Sequence, residues 1–341
     1  MLETIWFILW AVLWGMFFIL DGFDLGVGTL LPVLAKNEDE RRIMYNVAGP
    51  FWDGNEVWLI AAGGVTFAAF PKAYAVMFSA LYVPLLLLLF TLIFRAVSFE
   101  FRNKVAHASW RVLWDSIHFF SNIAASVLLG VAFANLFMGI PVDAQGVYHG
   151  NLLSLLNPYG LAGGVFFLCM FILHGALWLA IKSRDDLQTR AVATAFFIWP
   201  VMLVLLLAFL VLTAMHTNLF ANYLAMPALF ILPILALAGL ILVRIMLREG
   251  RLWAAWGSSA LFIFSVTFFG VAGMFPGMII SSLDPAATGT AFNGASSPLT
   301  LKIMLGVALV MVPIVLAYQC WTYHVFSAPV TREDLEDDHA Y

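Results

Sequence analysis

Two acids, Asp21 and Asp24, stand inside a long apolar run, in Asp21-Gly22-Phe23-Asp24-Leu25-Gly26-Val27-Gly28. They are three residues apart and share one face of a helix. Gly22, Gly26 and Gly28 form a small-residue face that lets another backbone come close. A second group lies in Pro50-Phe51-Trp52-Asp53-Gly54-Asn55-Glu56-Val57-Trp58-Leu59, where Asp53 and Glu56 bracket the start of a further apolar segment. A third opens with Trp110-Arg111-Val112-Leu113-Trp114-Asp115 and continues to His118 and Asn122, a polar stripe at helical spacing. His174 is alone in an apolar stretch. Ionisable groups at membrane depth are costly, face protein or water, and often mark ion and proton routes. Each group also has a plain reading. The first fits a packing seam, the second an Asp53 N-cap with Glu56 as its capping-box partner, the third interhelical glue. His174 is best read as a core histidine bonded to a carbonyl, with a haem ligand or relay as its other readings.

The elements that carry these groups follow from composition. Of 341 residues, 63% are hydrophobic and 11% charged, with a mean hydropathy of +0.97. A soluble domain carries about 25% charged residues, so lipid must be the solvent for most of this surface. The net charge of −4 argues against a nucleic-acid partner. Cys169 and Cys320 sit in apolar runs and read as small buried residues, not as a disulfide or thiolate site. No phosphate loop, nucleophile elbow or metal-ligand spacing occurs.

Cutting the apolar runs at about 20 residues per crossing predicts an all-α membrane protein of about nine spans. They cover roughly 5–31, 55–70, 75–97, 113–139, 159–182, 191–215, 223–247, 256–280 and 301–326. Residues 1–330 then form one polytopic domain, and 331–341 a short acidic tail. The first run has no basic flank and no small-residue cleavage site, so it is expected to be retained as a span. Pro71 should break the chain between the second and third spans. With the N-terminus outside, 14 of the 16 basic residues fall in inward segments: Lys36, Arg41, Arg42, Arg95, Arg102, Lys104, Arg111, Lys182, Arg184, Arg190, Arg244, Arg248, Arg251 and Arg332. Lys72 and Lys302 are left outside. That bias predicts an N-out, C-in topology. Trp6, Trp10, Tyr74, Trp110, Trp253 and Tyr318 near span ends read as interfacial rings. Eight spans plus one suit two four-helix bundles with a peripheral helix.

Together these blocks resemble subunit II of cytochrome bd-type quinol oxidases. Asp21 to Gly28, Glu40-Arg41-Arg42-Ile43-Met44 and Trp52 to Leu59 carry the likeness first. Trp110 to Asp115, Gly130-Val131-Ala132-Phe133, Leu156-Asn157-Pro158-Tyr159-Gly160-Leu161, Met274-Phe275-Pro276 and Thr331-Arg332-Glu333-Asp334 continue it in order along nearly the whole chain.

The resemblance implies a multi-pass protein of the bacterial cytoplasmic membrane, paired with a larger subunit of similar fold. That partner would ligate two b-type haems and one d-type haem and oxidise quinol, reducing O2 to water. The family also admits a small single-helix accessory subunit and a bound quinone. This chain would supply cytoplasmic protons and O2 access, with Asp53 matching the acid at the mouth of a proton path and Asp21, Asp24, Glu56, Asp115 and His118 as companions. No haem ligand carries over to His118 or His174. His118 departs from the family pattern, where that position is apolar. Two rivals stand beside this reading: a secondary transporter with buried acids and helices interrupted near the midplane, and a purely structural assembly subunit.

Overall fold

The computed structural model describes residues 1–336. The polypeptide runs through α1 (Leu2–Leu34), α2 (Glu38–Asn46), α3 (Trp52–Ala69), α4 (Pro71–Ala80), α5 (Tyr82–Phe101), α6 (Ala108–Met138) and α7 (Leu152–Leu155). It continues through α8 (Pro158–Lys182), α9 (Asp185–His216), α10 (Phe220–Ala225), α11 (Ile231–Arg248), α12 (Leu252–Met274) and α13 (Pro298–Val325). A two-stranded antiparallel ribbon, β1 (Gly277–Ile279) and β2 (Gly289–Thr290), lies between α12 and α13.

Among the described residues, eight helices are long and apolar enough to cross a membrane: α1, α5, α6, α8, α9, α11 with the turn before it, α12 and α13. The expected second span is α3, an 18-residue helix. Asp53, Asn55 and Glu56 near its start make it the least apolar of the long helices. Helices α1, α3, α5 and α6 pack as one group and α8, α9, α11 and α12 as another, joined across α1, α6, α8 and α12. Helix α13 lies outside both, with Leu301 its one buried residue. The arrangement is the pair of four-helix bundles and peripheral helix that the sequence suggests.

The glycines of the first motif set the seam between the groups. A Cβ on Gly26 would fall 1.9 Å from the Phe171 carbonyl oxygen of α8, and one on Gly130 would fall 2.2 Å from the Gly163 carbonyl oxygen. Helix backbones touch at both points, as small residues allow.

Several boundaries differ from expectation. The third span is divided at Leu81 into α4 and α5. The seventh begins as α10 and a 3-10 turn, Pro227–Phe230, before α11. The eighth stops at Met274, because residues 277–279 pair as β1. Trp6 and Trp10 are core residues rather than interfacial rings. Their indole N–H groups donate to the Leu301 carbonyl at 3.0 Å and Thr66 Oγ1 at 2.8 Å, which pins α1 to α13 and α3. Cys169 is half-buried and Cys320 is exposed, since α13 is peripheral. Residues 331–336 of the expected acidic tail fold back so that Leu335 is buried and its carbonyl accepts from Arg42 at 2.8 Å. Residues 337–341 of that tail lie outside the described residues.

Candidate functional site

The basic segments gather at one end of the bundles. Arg190 pairs with Glu40 at 2.7 Å and Arg332 with Asp39 at 3.4 Å, so the first turn of α2, the start of α9 and the C-terminal segment meet there. The polar clusters singled out in the sequence extend inward from this end.

Asp21 and Asp24 are both buried on α1. Arg95 of α5, 1% exposed, points between α1 and α3. Its Nη1 donates to Asp21 Oδ2 at 2.9 Å, while Nη2 lies 2.8 Å from Asp21 Oδ1 and 2.6 Å from Glu56 Oε1. Asp24 accepts from Asn55 Nδ2 at 2.8 Å, and the same amide nitrogen donates to the Leu20 carbonyl. Tyr323 and Gln319 of α13 both donate to Asn55 Oδ1, at 3.0 and 3.3 Å, and Trp58 donates to Gln319 at 2.8 Å. One guanidinium therefore pairs with two carboxyl groups, Asp21 and Glu56, and Asp24 lies buried beside them with Asn55 as its partner. Buried charge is tolerated only when paired and hydrogen-bonded, so a surplus of carboxylates makes a place where a proton can reside.

Asp53 differs from the acids around it. It is exposed in the first turn of α3, and Phe51 is the N-cap, with no side-chain cap bond. The capping-box reading therefore fails: the helix begins two residues earlier than that reading needs, and Glu56 turns to Arg95 instead. Asp53 and Glu56 remain on one helix face, the first in solvent and the second half-buried.

The third group is buried as well. Asp115 receives Arg102 Nε at 2.6 Å and Nη2 at 3.2 Å, Arg41 Nη1 at 3.1 Å, and the Tyr45 hydroxyl at 3.2 Å. Arg102 reaches on to both oxygens of Glu38, at 2.9 and 3.1 Å. Burial, and then the neighbouring Asp115 carboxylate, hold the Tyr45 hydroxyl well above its ordinary range, so it stays a neutral donor. His118 packs between the rings of Tyr45 and Phe99, and its Nδ1 lies 2.7 Å from Ser98 Oγ. Asn122 donates to the His118 carbonyl at 2.7 Å. Asp115, His118 and Asn122 thus form one buried stripe, as their spacing suggests.

His174 is a satisfied core residue. The Ile19 carbonyl, 3.0 Å from Nε2, can only accept, so Nε2 carries the hydrogen and Nδ1 accepts from Ser259 at 3.0 Å. The ring stacks on Trp256.

Arg95 and Arg102 were not singled out as site residues in the sequence, because both read as inward loop charges. Arg95 is a helix residue and both are 1% exposed. A signal existed for Arg95, which is flanked by apolar residues on both sides in Leu92-Ile93-Phe94-Arg95-Ala96-Val97. Tyr45, Ser98, Gln319 and Tyr323 carried no such signal.

The family model described as cytochrome bd terminal oxidase subunit II matches residues 2–326. Cytochrome bd ubiquinol oxidase subunit 2 of Bacillus subtilis is 37% identical over 335 residues, covering 98% of each chain. Cytochrome bd-I ubiquinol oxidase subunit 2 of Escherichia coli K12 is 36% identical over 370 residues, covering 98% of this chain and 97% of that one. A chain in the structure of bd oxidase from Geobacillus thermodenitrificans superposes with a TM-score of 0.75 over 95% of this chain and 98% of that one. At 14% identity it speaks to the fold alone. Sequence likeness over nearly the full length and the shared fold agree: the chain belongs to the cytochrome bd terminal oxidase subunit II family.

Proposed function

We propose that this chain is the smaller core subunit of a bacterial quinol:O2 oxidoreductase, and that its buried acids carry protons from the basic end toward the larger subunit. Its place would be the cytoplasmic membrane, with the basic end inward as the positive-inside rule directs. Reduction of O2 to water consumes protons, and a dry bilayer does not supply them. The observation that carries the reading is the Asp21–Arg95–Glu56 cluster with Asp24 beside it: three carboxyl groups, one cation, and a mouth at the first turn of α3. Asp53 at that mouth collects protons, and Glu56 on the same helix face receives them. O2 access through this subunit belongs to the same proposal.

Neither His118 nor His174 is read as a haem ligand. Both ring nitrogens of His174 are bonded to protein, and His118 lies against Gly28 so closely that a single added carbon would meet it. The two b-type haems and the d-type haem are assigned to the partner. The transporter reading loses its support with the family, and α9 and α13 run unbroken through Pro200 and Pro313.

The test is Asp53→Asn in the assembled complex. Positioned proton-transfer groups contribute about 10²–10⁴ to a rate, and a loss of about tenfold or more in quinol-driven O2 consumption is expected, with the haem spectrum and the co-purifying larger subunit unchanged. Normal turnover would remove Asp53 from the path.

A further inference from the structure

A second hydrogen-bonded line runs inward from the basic end without passing Asp53. Its outer member is Glu38, whose side chain is 41% exposed, and Arg102 ties Glu38 to Asp115. Tyr45 donates to Asp115 at 3.2 Å, and Ser98 is its neighbour on the inner side. Ser98 Oγ has two acceptors within reach, the Arg95 carbonyl at 2.5 Å and His118 Nδ1 at 2.7 Å, and one hydrogen to give. Turned to Arg95, the hydroxyl accepts from an Nδ1–H and leaves Nε2 bare. Turned to His118, it donates to Nδ1, and Nε2 holds the hydrogen. The Ser98 rotor therefore selects the His118 tautomer.

The inner side of the ring faces α1. A Cβ on Gly28 would lie 2.8 Å from His118 Nε2 and 2.1 Å from Asn122 Nδ2, so the ring reaches this face only because residue 28 is glycine. Gly28 is four residues beyond Asp24, about 6 Å along the helix. Two buried acceptors nearby on these helices, Asn122 Oδ1 and Asp24 Oδ1, have no donor among the described residues. The Asn122 amide cannot flip to relieve this, because its Nδ2 is committed to the His118 carbonyl. Buried polar atoms are almost always satisfied, by internal water where protein offers nothing.

We propose that His118 is the inner relay of a second proton inlet, Glu38–Asp115–Tyr45–Ser98–His118, which delivers through enclosed water to the Asp24 face of α1. The inlet rests on the proton-supply reading above and adds a route to it. Arg102 holds Glu38 beside Asp115 and keeps its own protons. A proton handed from the Glu38 carboxyl to the Asp115 carboxylate passes on to the Tyr45 oxygen as the Tyr45 hydroxyl turns from Asp115 and gives its proton to Ser98. The Ser98 proton moves to Nδ1, and the Nε2 proton leaves to the enclosed water. Each group loses one proton and gains one, and hydroxyl rotation with the reverse tautomer shift resets the line. Imidazole suits this because its two nitrogens exchange a proton between opposite sides of one ring.

The experiment uses the purified holo-complex carrying His118→Gln, Asp53→Asn, or both. Glutamine keeps a polar contact with Ser98 but has no second ring nitrogen. In the Asp53→Asn background, His118→Gln is expected to slow proton uptake, followed with a pH dye during O2 reduction, by a further factor of about ten, less than the ~10² that loss of a sole proton-transfer group gives. Haem content, reduction by quinol and thermal stability stay as in Asp53→Asn, which separates a relay from glue. His118→Leu guards against residual function of the glutamine and is expected to give the same loss. A double variant no slower than Asp53→Asn overturns the second inlet and leaves the first standing. A slow His118→Gln beside a normal Asp53→Asn supports the inlet through His118 and removes Asp53. Normal rates in every variant overturn both.

Discussion

Replacing Arg95 by methionine removes the single cation of the inner cluster and keeps most of the side-chain volume. Asp21 is fully buried and has Arg95 as its ion-pair partner, at 2.8 and 2.9 Å, so the substitution strands a carboxyl group without a counter-charge. Glu56 loses its 2.6 Å contact as well but keeps a 19% exposed side chain through which water can reach it. Breaking a buried pair by deleting one partner costs about 3–5 kcal/mol, whereas removing both partners together is often close to neutral. At about 1.36 kcal/mol per factor of ten, Arg95→Met should shift the unfolding equilibrium by roughly two to four decades. Asp21→Asn in the same background should recover much of that loss. The assay is unfolding of the detergent-solubilised complex, followed by circular dichroism along a denaturant series, for both single variants and the double. If Arg95→Met stays within about 1 kcal/mol of the parent, a value typical of solvent-exposed ion pairs, the cluster is hydrated and the argument from a dry surplus of carboxylates falls.

Two further outcomes test the frame around the site. Gly26→Ala places a methyl 1.9 Å from the Phe171 carbonyl oxygen, forcing α1 and α8 apart, and should destabilise by about 1–3 kcal/mol or more. Gly63→Ala, with nothing within 4 Å, should be neutral or gain about 0.5–1 kcal/mol in the same denaturation assay. At the opposite end, the 2.6 Å bond from His149 holds the Asp143 carboxyl below its ordinary 3.8. A lowered value in the folded chain means that the contact favours the fold above pH 3.8 and ceases to do so as the pH falls through the Asp143 titration. His149→Gln should return that titration toward 3.8, read by isotope-edited infrared spectroscopy of labelled aspartate. An unchanged titration would show that the backbone N–H groups of Gln145 and Val147 set it instead.

The parts of this molecule that were legible in the sequence are those written in one helix at a time. Apolar runs long enough to cross a bilayer located the helices, and the small-residue face at Gly22 to Gly28 announced a close approach that Phe171 and Gly175 supply. Asp21 and Asp24 stood out inside an apolar run, Asp115 at the head of a polar stripe with helical spacing, and all three are buried. Helix ends were less legible. The break at Leu81 and the β1–β2 ribbon depend on contacts between segments, and hydropathy averages over them.

What stayed hidden is the countercharge. A carboxyl group inside an apolar run demands a partner on a different helix, and the candidate cations are scattered among residues that the positive-inside rule assigns to loops. Arg95 and Arg102 lie seven residues apart on one side of α5 and its C-terminal cap, each 1% exposed and each facing a different acid cluster. Counting them as orientation signals uses their charge alone, yet Arg95 pairs with Asp21 and Arg102 with Asp115. Buried acids in such a chain should therefore be matched against the last two turns of neighbouring spans before those arginines are credited to the membrane surface. Applied here, that rule selects Arg95 for its apolar flanks. It also directs attention to the strip of α5 between the two arginines, where Ser98 sits and the two clusters come nearest to sharing a hydrogen-bonded path.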